Sequence, residues 1–87
     1  MTFKIEIEKR CLRELKNLDK PVLKKAFDLL GSVLKNNPYA GKALKGPYSG
    51  LYSYRFQQFR IVYEIIKDRL TVLVLRIRHR KDVYDGL

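Results

Sequence analysis

Two arginines stand where a β-hairpin would set them face to face. In YSYRFQQFRIVY, Tyr52, Tyr54 and Phe56 alternate with Ser53, Arg55 and Gln57, and Phe59, Ile61 and Tyr63 alternate with Arg60 and Val62. A period of two marks strands. With Gln57 and Gln58 as the turn, Phe56 pairs with Phe59, and Arg55 lies opposite Arg60 on one face. Like charges so placed destabilise a sheet. An anion beside them offsets that cost, and guanidinium forks match the planar oxygens of a phosphate. The plain alternative is two solvated arginines on an exposed face, and Gln-Gln is not a favoured two-residue turn. Further cations follow in RIRHRKDVY, where Arg76, Arg78 and Arg80 share one face if the alternation persists. Whether that face is Arg60's depends on the preceding turn near Lys67, Asp68 and Arg69: an odd loop count puts them together, an even count apart.

One domain must position these groups. Eighty-seven residues bury only about 60 to 65% of their unfolded surface, enough for a single core spanning residues 1–87. Nineteen Lys and Arg against nine Asp and Glu leave a net charge of +10, which makes an anionic partner, nucleic acid first, the default expectation. No stretch approaches the roughly 20 apolar residues of a membrane span, so no membrane role is expected. The start, MTFKIEIEKR, alternates charged and apolar residues unlike a signal peptide, so the expected compartment is the cytoplasm. A single cysteine, Cys11, and a single histidine, His79, allow no internal disulfide and argue against a zinc site; no metal or cofactor is expected.

Taken in order, Phe3, Ile5 and Ile7 alternate with Lys4, Glu6 and Glu8 as a first strand. Cys11, Leu12, Leu15 and Leu18 then fall at helical spacing, in a helix ending near Asn17. Asp19 offers an N-cap and Pro21 an early helix position. The second helix runs from about Pro21 to Lys35, with Leu23, Ala26, Phe27, Leu30, Val33 and Leu34 as its core stripe. Asn36, Asn37 and Pro38 stop it. The one long loop, PYAGKALKGPYSG, follows, with Lys42 and Lys45 as candidate phosphate contacts. Three antiparallel strands complete an α+β domain of order β-α-α-β-β-β: a small sheet with both helices on one face and an arginine-lined face left partly open.

The order KALKG, then Y-x-Y-R-F-x-x-F-R-I-V-Y, then an apolar strand ending in I-x-H-R-x-x-V-Y, resembles the RelE family of bacterial and archaeal toxins over nearly the whole chain. The resemblance implies a metal-independent endoribonuclease that cuts messenger RNA in the ribosomal A site and arrests translation. It also implies neutralisation by a cognate antitoxin, with a toxin–antitoxin heterotetramer as one assembly. Residue by residue, Arg60 and Arg80 match the family's catalytic arginines and Tyr84 its C-terminal tyrosine. Arg55 matches a basic position, and Ser53 falls where the best-known member has a lysine. Arg76 and Arg78 join Lys42, Lys45 and Ser53 as candidate RNA contacts.

Cutting RNA without a metal requires the 2′-hydroxyl to attack the adjacent phosphate, so a proton must be removed, the phosphorane stabilised and the leaving oxygen protonated. Arginine suits the second task and not the first, because it stays protonated. His79 is the one side chain with an ordinary pKa near neutrality and is a candidate base or acid. Strand alternation instead points it away from Arg80 unless a bulge intervenes. Tyr84 can stack on a base, bond a phosphate or move a proton; alternatively it pins the tail to the sheet. Two other functions fit the residues: a toxin of the related ParE type, which shares the fold and binds DNA gyrase without cutting RNA, and a basic RNA-binding module without chemistry.

Overall fold

The computed structural model describes residues 2–87. Strand β1 is Lys4–Ile7, helix α1 Lys9–Glu14 and helix α2 Lys20–Leu29, followed by β2 (Lys42–Ala43), β3 (Leu51–Phe56), β4 (Phe59–Ile66) and β5 (Thr71–His79). The five strands form one sheet of order β1-β5-β4-β3-β2. Its pairs are antiparallel except β1 with β5. The α+β architecture is as the sequence implies, with one addition. The stretch read as a single long loop contains a two-residue edge strand, Lys42–Ala43, too short for a period of two to declare itself.

The helices bury one sheet face. Cys11, Leu15, Ala26, Leu30 and Leu34 pack against Phe56, Ile61, Tyr63, Val72, Val74 and Ile77, with Ile5, Ile7, Tyr52 and Tyr54 at the margin. Helix α1 continues as a 3₁₀ turn to Asn17, and α2 as a wider π-helical turn over Leu30–Leu34. Asp19 occupies the N-cap position of α2 with Pro21 in its first turn, although the Asp19 side chain makes no capping bond. Two stripe assignments need correction: Phe27 is 45% exposed and Leu12 50%. Each sits at the margin of its helix's apolar arc, and Val22 and Leu29 pack inward on α2 instead.

The arginine-bearing hairpin forms as its alternation demands. Phe56 pairs with Phe59 and Arg55 with Arg60 across the Gln57–Gln58 turn, with Gln57 at φ +52°. The β4–β5 connection spans 67–70, between the paired residues Ile66 and Thr71. This even count would put Arg76 and Arg78 on the face away from Arg60. The ladder, however, slips by one residue: Tyr63 pairs with Val74 but Val62 with Arg76, leaving Leu75 as a bulge. Arg78 therefore lands opposite Arg60. The slip keeps Val72, Val74 and Ile77 in the core, which an unbroken alternation could not do, since it would bury Arg76 among them.

One buried hydroxyl sets the far edge of the sheet. Tyr63 Oη donates to the Pro38 carbonyl at 2.7 Å and accepts from the Gly41 N–H at 3.1 Å. Burial pushes the Tyr63 phenol up to about 12, so it remains a donor at all physiological pH. A Cβ at Gly41 would overlap that hydroxyl. Together these contacts fix the chain entering β2. Tyr63→Phe, which orphans both backbone groups, is expected to cost about 1–3 kcal/mol in chemical denaturation. Gly41→Ala is expected to cost a similar amount by overpacking.

Candidate functional site

On the sheet face away from the helices, cross-strand register lays side chains out in transverse rows. Lys42, Ser53, Val62 and Arg76 form one row across β2, β3, β4 and β5. Arg55, Arg60 and Arg78 form the next. Arg60 Nη1 donates to Ser53 Oγ at 3.2 Å, and Ser53 is only 2% exposed. A cleft of about 390 Å³ lies at this junction, lined by Ala40, Gly41, Lys42, Ser53, Tyr54, Arg55 and Arg60. Its ionisable lining is cations and a phenol, without a carboxylate or an imidazole. Among the described residues the one ion pair is Arg78 with Glu14, so Arg55, Arg60 and Lys42 have no acidic partner.

Two arginines expected to contact RNA are instead engaged within the protein. Arg76 is buried, and its Nη1 donates to the Val83 carbonyl at 3.0 Å and to the Asp85 carbonyl. Burial in the first place, with the nearby Arg78 charge, lowers its pKa. Its buried Nε has no partner. Arg78 reaches beyond the end of the β1 pairing to α1, where Nε donates to Glu14 Oε1 at 3.2 Å and Nη2 to Oε2. The Arg78 hydrogen bonds hold the Glu14 carboxyl below its ordinary value.

The tail from Arg80 folds back over this face, which is thus less open than the strand order alone suggests. Val62 and Val83 are fully buried yet lie outside the main core. Arg76 clasps the tail through its carbonyls, and Tyr84 stacks on Tyr48 of the β2–β3 connection at 5.3 Å and 23°. Tyr48 carried no sequence signal of this contact, because the pairing is long-range. Arg80 is exposed, and its N–H donates to the Gln58 carbonyl at 2.8 Å, which holds it at the hairpin end of the sheet with Arg55 and Arg60. Lys45 is exposed beyond β2 and lines no part of the cleft.

His79 does not join the arginines. It pairs with Phe59, shares the helix-side face and packs edge-on against that ring at 5.6 Å, while Nδ1 accepts the Lys81 N–H at 3.2 Å. The bulge that re-aims Arg78 sits before His79, so alternation resumes and separates His79 from Arg60. Cys11 is likewise unsuited to chemistry, its thiol pushed up to about 11, chiefly by burial. Among the described residues, no cluster of His, Cys, Asp and Glu is suited to hold a metal, and no helix is long and apolar enough to cross a membrane.

Residues 5–84 match the sequence model of the ParE toxins of type II toxin–antitoxin systems (parDE). The chain is 35% identical to the candidate toxin RelE1 of Methanocaldococcus jannaschii, over 97% of each chain. It is 28% identical to toxin RelG of Mycobacterium tuberculosis, over 97% of this chain and 98% of that one. Among solved structures, the RelBE2 toxin–antitoxin complex of M. tuberculosis contains a chain that superposes with a TM-score of 0.86 at 26% identity, covering 92% of this chain and all (100%) of that one.

Two outcomes test the geometry. Arg76→Met should release the tail, read as faster amide hydrogen exchange at residues 82–87 with the β4–β5 ladder still protected. Glu14→Gln should destabilise the fold by about 1 kcal/mol at pH 7. Because the Glu14 pKa is depressed on folding, that difference is fully present above the ordinary value of 4.5 and vanishes as pH falls through the folded value.

Proposed function

The chain belongs to the RelE/ParE family of toxins of type II toxin–antitoxin systems, and from that membership we propose that it is a translation-arresting endoribonuclease that cuts messenger RNA in the ribosomal A site. The observation that carries this reading is the Arg55–Arg60 cross-strand pair, two guanidinium groups without an acidic partner among the described residues, beside a cleft lined with cations. A fold that tolerates such repulsion is matched to an anion, and a phosphorane gathers more negative charge than the phosphate it forms from. Fixed cations therefore stabilise the transition state more than the ground state.

In the reaction, the RNA 2′-hydroxyl gives its proton to water as its oxygen bonds to phosphorus, and the bond to the 5′-oxygen breaks, that oxygen taking a proton from water to leave as a 5′-hydroxyl. Arg60, held by Ser53 Oγ, takes the non-bridging oxygens with Arg55. Arg80 adds charge from the same end of the sheet, and Tyr84, when it leaves Tyr48, supplies a hydroxyl or a ring for stacking. Because the cleft contributes cations and hydroxyls, positioning of the RNA near in-line geometry falls to the ribosome. A cognate antitoxin is the proposed protein partner, as RelBE2 of M. tuberculosis is a toxin–antitoxin complex. It would act by covering Arg60 and Arg80 or displacing the Tyr84 tail, in an assembly such as a heterotetramer. The ribosomal target sets the cytoplasm as the place of action.

The ParE description of the matching sequence model favours a second reading, gyrase inhibition. The RelE and RelG names of the aligned relatives weigh toward RNA. Primer extension on a defined messenger in a purified translation system separates the two. Ribosome-dependent cuts are expected, falling about 100-fold or more in Arg60→Ala and Arg80→Ala. No cuts, with inhibition of gyrase supercoiling, would overturn the proposal, as would equally fast cutting of naked RNA for its ribosome dependence.

A further inference from the structure

The register of the shortest strand singles out Lys42. Its Cα partner across β2–β3 is Ser53, the residue that accepts the Arg60 hydrogen bond. Directly opposed residues of an antiparallel pair have Cβ atoms about 4.5–5.5 Å apart and project to the same face. Lys42 thus shares the face of Ser53, and Lys42 and Arg60 both line the cleft there. Ser53 is the small, buried member of that row, and its size leaves the cleft between Lys42 and Arg60 open.

Lys42 is also unusually well placed for an exposed edge residue. The strand is two residues long, but the chain entering it is pinned one residue earlier, where Gly41 N–H meets the fully buried Tyr63 hydroxyl. On its other side, Leu44 N–H donates to the Leu51 carbonyl at 2.9 Å. Lys45, three residues on, has neither the register nor the cleft. Among the described residues Lys42 has no acidic partner to compete with a ligand.

We propose that Lys42 is a catalytic residue of the cleft, its ammonium contacting a non-bridging oxygen of the scissile phosphate across from Arg60. The inference rests on the ribonuclease reading and deepens it. Arg55 and Arg60 approach the phosphate from one side and Lys42 from the other, so the charge gathering on the phosphorane is enclosed rather than met on a single flank. An ammonium is a compact point charge that needs no fixed fork geometry, which suits a position on an edge strand.

The test is single-turnover cleavage on programmed ribosomes by wild type, Lys42→Ala, Lys42→Arg and Lys67→Ala, the last removing an equal charge at the β4–β5 turn. At saturating toxin, Lys42→Ala is expected to cut about 10- to 100-fold more slowly. Lys42→Arg should recover most of the loss and Lys67→Ala stay within about twofold of wild type. A wild-type rate for Lys42→Ala at saturation, with only its apparent affinity reduced, would overturn the proposal and leave Lys42 a steering charge. Absence of cutting by wild type is a different result, and overturns the ribonuclease reading with this inference.

Discussion

Side chains alternate strictly along a strand, so the one unpaired residue in the β4–β5 ladder, Leu75, moves everything after it to the other face. Without it, Arg76 and Arg78 would point into the layer occupied by Val72, Val74, Leu30 and Leu34. Burying an unpaired guanidinium there costs far more than one lost ladder position. The bulge thus satisfies the core first. As a consequence it assembles the charged face, placing Arg78 beside Arg60 and Arg76 beside Val62.

That face then divides its cations between two tasks. Arg76 and Arg78 are consumed in holding the protein together, one clasping the C-terminal tail and the other tying β5 to α1 through Glu14. Among the described residues, Arg55, Arg60 and Lys42 have no acidic partner around the cleft. Of Arg76 and Arg78 only Arg78 is neutralised, by Glu14; Arg76 keeps its charge among backbone carbonyls and, with the cations around the cleft, raises the local positive potential. The tail is clasped by Arg76 through its carbonyls, and it carries Tyr84 to Tyr48.

The hairpin was legible in the sequence because Tyr52, Tyr54, Phe56, Phe59, Ile61 and Tyr63 alternate cleanly, which places Arg55 and Arg60 on one face; their direct pairing followed only with Gln57 and Gln58 as the turn, the register the structure has. The bulge was not legible: Val72, Leu73, Val74 and Leu75 are all apolar, so the sequence shows no change of phase at Leu75, and a rule based on loop count alone assumes an unbroken ladder. What else could not be read was long-range. Strand β2 is too short for a period, and it exists because Tyr63, more than twenty residues away, anchors Gly41 (a sequence separation of 22). The internal roles of Arg76 and Arg78 depend on where the tail and α1 come to rest. His79 was legible as a chemical group, but only its pairing with Phe59 shows that it faces the helices.

In the proposed reaction the protein supplies fixed positive charge while the RNA supplies its own nucleophile. The most direct measurement replaces the single nucleotide before the scissile phosphate by its 2′-deoxy form in a ribosome-bound messenger and follows cutting and end groups. The deoxy messenger is expected to bind without being cut, and the unmodified one to leave a 2′,3′-cyclic phosphate and a 5′-hydroxyl. Undiminished cutting of the deoxy messenger, or a 5′-phosphate product, would contradict that reaction.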